Sequence, residues 1–367
     1  CTISSNRCVF FDKMGVEFVQ RPFFFYRFFM TLDALNNWLL DCGCKPQHIQ
    51  HIYRAMLGVV PWPQNDNEKF PKKLRERLPE LHHQLDSLLT LVDTQEDPEE
   101  KESAKLLFAL KDGQTIESVL LPRQGVCVSS QVGCAVGCVF CMTGKSGLIR
   151  QLTDLEIVAQ VMRARALRPK TRKVVFMGMG EPSHNLQNVM RAINFLGTYG
   201  QFPHKNLVLS TVGDVRVFKA LDESVVKPAL AISLHTTNEE KRRLLLPKAG
   251  KIAIETLVSE AERYARETNY PIQYQWTLID NLNDGDDEVK RLIELLCGHY
   301  AMMNFIPVNV VESNTYRRPP IERCAAMARA LQQAHIVAKL RHPAAQEVEG
   351  GCGQLRSRYI QLKVEQN

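Results

Sequence analysis

The pattern of apolar and polar positions changes its period once along this chain. Thr31 to Leu39 sets Leu32, Leu35, Trp38 and Leu39 at helical spacing, with Thr31 or Asp33 as the cap. Gln47 to Met56 predicts a second helix, and Pro61 and Pro63 punctuate the stretch after it. Lys69 to Leu89 predicts a third helix, with the basic run Lys72, Lys73, Arg75 and Arg77. Together they make a small helical domain over residues 30–95. The acidic piece from Asp93 to Glu102 reads as a linker. Beyond it the period shortens. Ala104 to Lys111 and Thr115 to Leu121 flank Asp112-Gly113-Gln114, the mark of a β-hairpin.

After the hairpin, short apolar runs alternate with helical stretches. The predicted strands are Val126 to Ser130, Lys173 to Met179, Asn206 to Thr211, Ala229 to His235, Ile272 to Ile279 and Met302 to Val308. Helices are expected between them, among them Asp154 to Leu167, Asn185 to Thr198, Ile254 to Arg266 and Asp287 to Cys297. Strand–helix alternation with right-handed crossovers predicts an α/β fold, an open (β/α)6 partial TIM-like barrel over residues 104–365. In such folds the chemistry gathers at the carboxyl ends of the strands. The unusual residues fall there: a cysteine loop after the first strand, Gly178-Met179-Gly180-Glu181-Pro182 after the second, then Ser210-Thr211, Ser233-Leu234-His235 and Pro307-Val308-Asn309.

The cysteine loop carries the sharpest signal. Cys134, Cys138 and Cys141 stand in Cys-x3-Cys-x2-Cys spacing, three thiolates from one segment. A [4Fe–4S] cluster bound by three cysteines keeps one iron open for a small chelating molecule. This spacing resembles that of the radical S-adenosylmethionine (SAM) enzymes, in which SAM fills the vacancy. A zinc site is the alternative, although it usually takes its four ligands as two separated pairs and no second pair is evident. With SAM as ligand, Glu181 is a candidate for its amino group, the glycines letting backbone approach. Gly180, Ser210, Ser233, Leu234, His235 and Asn309 are further candidate contacts. Taken alone, His235 reads as an ordinary buried histidine ahead of a ligand-binding one.

Composition bounds the setting. The 367 residues suggest about two domains and include 45% hydrophobic residues, ample for a core. No stretch reaches the roughly 18 apolar residues of a membrane span. The patch Phe23, Phe24, Phe25, Phe28 and Phe29 is broken by Arg21 and Arg27 and reads poorly as signal or span. Residues 1–29 lack periodicity and begin with Cys1, so they read as an appendage, with Met30 the expected start. The remaining cysteines are scattered, as suits a reducing cytoplasm. Net charge is +6, a mild basic excess compatible with nucleic acid.

Two further cysteines narrow the chemistry. Cys127 lies at the base of the cluster loop, and Cys352 lies in Glu349-Gly-Gly-Cys-Gly-Gln-Leu355, where three glycines suggest an accessible thiol. The run from Cys127 to Cys141 resembles the RlmN/Cfr family of radical SAM RNA methyltransferases. So do Phe176-Met-Gly-Met-Gly-Glu-Pro182, Ile232-Ser-Leu-His235, Ile306-Pro-Val-Asn309 and Cys352-Gly-Gln-Leu355. The resemblance runs in order from about residue 104 to the end.

It implies a cytoplasmic enzyme using a [4Fe–4S] cluster and two SAM molecules per turnover to methylate carbon 2, or carbon 8, of an adenine in ribosomal or transfer RNA. Cys352 would carry the methyl group from one SAM, and a 5′-deoxyadenosyl radical from the second would activate it. Cys127 would resolve the protein–RNA adduct through a transient disulfide with Cys352. Glu117 would accept the ring proton, although on its own it reads as a surface strand glutamate. The implied partners are RNA, an electron donor such as flavodoxin or ferredoxin, and a thiol reductant. A monomer with no membrane association is expected.

The chain departs from the pattern in Arg341-His-Pro-Ala-Ala-Gln-Glu-Val-Glu-Gly-Gly and in a short stretch between Pro122 and Cys127, which suits a divergent branch. Arg317 and Arg318 are phosphate candidates, and Lys72 and Lys73 could grip folded RNA. The cluster Arg163, Arg165, Arg168, Lys170, Arg172 and Lys173 reads as a solvated helix end. No RNA-binding module with stacking aromatics is evident. The rivals are another radical SAM enzyme, such as a glycyl-radical activase or a mutase, and a non-enzymatic iron–sulfur or zinc RNA-binding protein.

Overall fold

The computed structural model describes residues 9–11, 17–19, 31–64, 68–96, 102–145, 147–309, 316–341 and 353–365. A short antiparallel pair, β1 (Val9–Phe11) and β2 (Glu17–Val19), precedes three helices, α1 (Leu32–Asp41), α2 (Pro46–Met56) and α3 (Lys72–Asp86). Thr31 caps α1, its hydroxyl accepting the Ala34 N–H at 3.1 Å. Then come β3 (Leu89–Glu96), β4 (Ala104–Leu110), β5 (Thr115–Leu121) and β6 (Gly125–Cys127). The cysteine loop follows, with β7 (Gln131–Gly133), α4 (Met142–Lys145) and β8 (Leu148–Gln151).

The strand–helix alternation then runs through α5 (Asp154–Leu167), β9 (Lys173–Phe176), α6 (Leu186–Tyr199), β10 (Leu207–Thr211), α7 (Val215–Glu223) and β11 (Ala229–Ser233). It continues with α8 (Glu239–Leu245), α9 (Ile254–Thr268), β12 (Ile272–Leu278), α10 (Asp286–Leu296) and β13 (Ala301–Pro307). The last elements are α11 (Ile321–Gln333), β14 (Val337–Leu340) and α12 (Gln354–Glu365).

One ten-stranded sheet runs in the order β14-β13-β12-β11-β10-β9-β6-β5-β4-β3. From β14 to β6 neighbouring strands pair in parallel, and from β6 to β3 they pair antiparallel. The ends of the sheet do not meet, so this is the expected open barrel. Two features go beyond the sequence reading. A seventh parallel strand, β14, follows the six expected. The stretch from Asp93 to Glu96 is not linker but the end of β3, paired with β4. An edge strand with one face in solvent carries charges freely, so its composition resembles a linker's; residues 97–101 lie outside the described residues.

The helices α1 to α3 share one continuous buried cluster with α5, α6 and the sheet. Their junction is also polar. The Leu32 N–H donates to buried Asp154 at 2.9 Å, and Arg191 bridges Asp154, at 2.7 Å, and Asp33. Arg165 corrects the reading of a solvated helix end. Its guanidinium donates to the carbonyls of Thr171 (3.1 Å), Leu57 (2.6 Å) and Gly200 (2.8 Å), and lies 4.0 Å over the Phe202 ring. Lys73 donates to the Asp41 carbonyl at 2.6 Å, and Arg77 pairs with Glu80 while stacking on Trp38, so both hold helices together. No helix among the described residues is long and apolar enough to cross a membrane.

Candidate active site

The carboxyl ends of the parallel strands surround a cleft of about 330 Å³. Cys134, Cys138 and Cys141 line it, together with Gly180, Glu181, Ser210, Ser233, His235 and Asn309. Leu234 does not: its side chain is fully buried in the main core. Gln275 and Thr277 join the lining from β12. They were missed, although the alternation of that strand marks them, since Ile272, Tyr274, Trp276 and Leu278 are buried on its other face.

The cysteine loop is fixed at both ends by backbone. Cys134 donates its N–H to Gly147 at 2.9 Å, and Val139 donates to Leu245 at 3.1 Å. Burial raises the Cys134 thiol to about 11 and pushes Cys138 up as well, and the neighbouring cysteines add to both shifts. Iron binding at these groups therefore displaces protons. A [4Fe–4S] cluster asks for one thiolate per iron. Three thiols sharing a cleft with a carboxylate, hydroxyls and an imidazole fit that cluster with SAM beside it.

Glu181 is buried and held from three sides. It accepts the Ser183 N–H at 2.9 Å, the Thr211 hydroxyl at 2.5 Å and the Val212 N–H at 3.1 Å. The neighbouring glycines line the cleft and also make room for the protein's own chain. A Cβ at Gly178 would meet the Val128 carbonyl at 2.8 Å, and one at Gly180 (φ +102) would meet Gln131 Cβ at 2.6 Å. The close approach is to the chain around β6 and β7.

His235 sits at φ +63, an uncommon conformation for a side-chain-bearing residue. Asn283 holds its carbonyl at 2.7 Å, and the following Thr236 and Thr237 bind the buried carboxylate of Glu288. Burial, helped by Arg242, pulls the imidazole down to about 3, so it is neutral. Arg242 was not singled out from the sequence, where it reads as part of a charged run on α8. It is buried, and its guanidinium donates to the carbonyls of Val212 and, at 3.4 Å, Ser233. The only local signal is its spacing to Leu245 and Leu246 on one helix face. Arg318 spends its guanidinium on the Val308 carbonyl (2.8 Å) and Asn309 Oδ1 (3.2 Å).

Glu117 is the largest departure from its local reading: the expected surface glutamate is 2% exposed. Its carboxylate accepts the N–H groups of Gly353 and Arg356, each at 2.8 Å. Gly353 in turn rests on the cluster loop, since a Cβ there would lie 2.8 Å from the Thr143 nitrogen. Cys127 pairs opposite Val119, two residues along β5, and burial aided by the Glu117 charge raises its thiol to about 12. Cys352 lies outside the described residues, as do residues 342–351 of the divergent stretch.

Comparison with known proteins gives a consistent picture. The radical SAM superfamily profile matches residues 128–296. A probable RNA methyltransferase of Methylibium petroleiphilum is 56% identical over 333 residues, covering 90% of this chain and 94% of that protein. One from Thiobacillus denitrificans is 54% identical, covering 90% of this chain and 91% of its own length. Among solved structures, a radical SAM methyltransferase from Sphaerobacter thermophilus superposes with a TM-score of 0.76 at 33% identity, covering 89% of this chain and 98% of that one.

Proposed function

We propose that this chain, which belongs to the RlmN/Cfr family of radical SAM RNA methyltransferases, methylates carbon 2 of an adenine in ribosomal or transfer RNA. Carbon 8 is the second choice. Cys352 carries the methyl group and Cys127 resolves the adduct. The observation that carries this reading is the meeting of three elements far apart in sequence. Glu117 binds the residue that follows Cys352, Cys127 lies beside Glu117, and Gly353 touches the helix after Cys141.

When bound, the [4Fe–4S] cluster and SAM supply one-electron reductive cleavage to a 5′-deoxyadenosyl radical, with two SAM molecules consumed per turnover. Cys134, Cys138 and Cys141 would hold the cluster. Glu181 would take the SAM amino group, and Gly180, Ser210, Ser233, His235 and Asn309 would hold the rest of the molecule, Leu234 contributing backbone alone. An aromatic ring carbon is not nucleophilic toward the SAM methyl group, so the methyl must first rest on a sulfur. Once the Cys352-bound carbon has joined the ring carbon, Glu117 accepts the ring proton, and the accompanying electron leaves by the route that delivered one to SAM. The Cys127 thiolate then bonds to the Cys352 sulfur; the electron pair of the breaking sulfur–carbon bond stays with the ring-bound carbon, which takes up a proton to become the methyl group. A thiol reductant resets the disulfide, and a flavodoxin or ferredoxin supplies electrons.

RNA as substrate is supported by a second pocket of about 640 Å³ formed by residues 239–255, whose first helix packs against the cysteine loop. Arg243 and Lys251 line it with no acceptor among the described residues, while Glu255 is engaged by Arg291 at 2.7 Å. The deciding experiment is anaerobic cluster reconstitution followed by incubation with SAM, reductant and total RNA, read by nucleoside mass spectrometry. 2-Methyladenosine that disappears in Cys352→Ala supports the reading. 5′-Deoxyadenosine without any methyladenosine would point to another radical SAM activity.

A further inference from the structure

We infer that Glu117 is a positioning residue for the carboxyl-terminal arm, docking the backbone just after Cys352 against the cluster loop and thereby controlling methyl loading of Cys352. This rests on the two-cysteine reading above and adds to Glu117 a task earlier than proton acceptance.

The argument starts from the unmet N–H groups of a helix. The first turn of α12 presents backbone donors that its own carbonyls cannot satisfy. Glu117 meets two of them from β5, one with each carboxylate oxygen: Oε2 accepts from Gly353 and Oε1 from Arg356, both at 2.8 Å. A carboxylate is suited to this place, since it also complements the positive end of the helix dipole. Arg356 adds a second tie to the same strand, its Nε donating to the Thr115 carbonyl at 2.9 Å. Ser357 closes the turn with its hydroxyl on the Gly353 carbonyl at 2.8 Å.

The dock has a tight geometric requirement. Gly353 adopts φ +90, and a Cβ there would come within 2.7 Å of Thr143 Oγ1 and 2.8 Å of the Thr143 nitrogen. The arm therefore touches the helix two residues past Cys141, and Cys352 is one peptide bond, about 3.8 Å between Cα atoms, from this contact. In this arrangement Glu117 does not line the cleft and both its oxygens are taken. Holding the arm and receiving a ring proton are thus successive tasks for one carboxylate.

The test separates docking from base catalysis. Glu117→Gln keeps the shape of the side chain but offers one acceptor and turns an amide donor toward the other N–H. Purified holoenzyme of the parent and the variant would be incubated with SAM and dithionite, and S-methylation of Cys352 measured by peptide mass spectrometry. Docking predicts that methyl occupancy falls about tenfold, the effect of one lost charge-assisted hydrogen bond. Hydrogen exchange at Gly353 and Arg356 rises while the β4–β5 amides stay protected.

If Glu117→Gln loads Cys352 as fully as the parent and loses only RNA turnover, the carboxylate is a base alone and the proposal fails. If Glu117→Gln does not fold, Gly353→Ala decides, since it leaves the carboxylate intact and disturbs only the dock. Loss of Cys352 methylation in that variant supports docking, and full methylation overturns it. A parent enzyme that never methylates Cys352 would instead refute the two-cysteine reading itself.

Discussion

His235 Nδ1 accepts the backbone N–H of Thr277 at 2.9 Å, so the single proton of the neutral ring sits on Nε2. The ring lies edge-on to Phe140, with centroids 4.9 Å apart, in the segment between Cys138 and Cys141. One imidazole thus ties the end of β11 to β12 and packs against the cluster loop. It is a donor to the cleft, not a cation in it.

That relationship sets a pH dependence. The folded-state value of about 3 lies below the ordinary 6.5. Between those limits the unfolded chain binds a proton that the folded chain refuses. Stability is therefore lost as pH falls below 6.5 and is insensitive to this group above it. From pH 7 to pH 5 the loss attributable to His235 is about 2 kcal/mol. Urea denaturation of His235→Gln should show a correspondingly smaller fall, and an identical fall would mean the ring is charged when folded.

Cysteine reactivity should follow exposure. Cys297 is exposed, whereas burial holds the Cys127 thiol near 12. Iodoacetamide at pH 8 should label Cys297 within minutes and leave Cys127 unlabelled until denaturant is added. Comparable labelling of the two in the folded protein would contradict the packing around Cys127.

The glycines of the second strand end should tolerate no side chain. Gly180→Ala adds a Cβ 2.6 Å from Gln131 at φ +102 and should cost about 3 kcal/mol. Gly113→Ala, at φ +80 with open space around it, should cost about 1 kcal/mol. Equal costs from chemical denaturation would show that crowding at Gly180 is relieved elsewhere.

Arg165 should matter for stability and not for chemistry. Arg165→Met forfeits hydrogen bonds to three carbonyls and should cost about 3 kcal/mol. 5′-Deoxyadenosine formation per folded molecule should stay within about twofold. Lysine should not rescue it, because one ammonium cannot span three acceptors on separate segments.

For RNA, the double replacement Arg243→Ala with Lys251→Ala should weaken binding while leaving SAM cleavage unchanged. The slope of log affinity against log salt should flatten by about 1.5 if each cation meets one phosphate. An unchanged slope would place the RNA path elsewhere.

The sequence by itself determined the order of six parallel strands and the helices between them, the three thiols on one loop and the gathering of Glu181, Ser210, Ser233, His235 and Asn309 at strand ends. These are local matters: period, spacing and the polarity of parallel strands act over a few residues. Even the inward face of β12, with Gln275 and Thr277, was written in its alternation. The edge strand β3 was hidden because an exposed strand carries the composition of a linker. Only the tertiary structure decided what Glu117, Arg242 and Arg165 do. Each reads locally as a solvated charge, and each is drawn inward by backbone groups distant in sequence, Gly353 lying 236 residues from Glu117. Burial of a charge depends on which partners the fold delivers to it, and no short-range pattern in the chain encodes that.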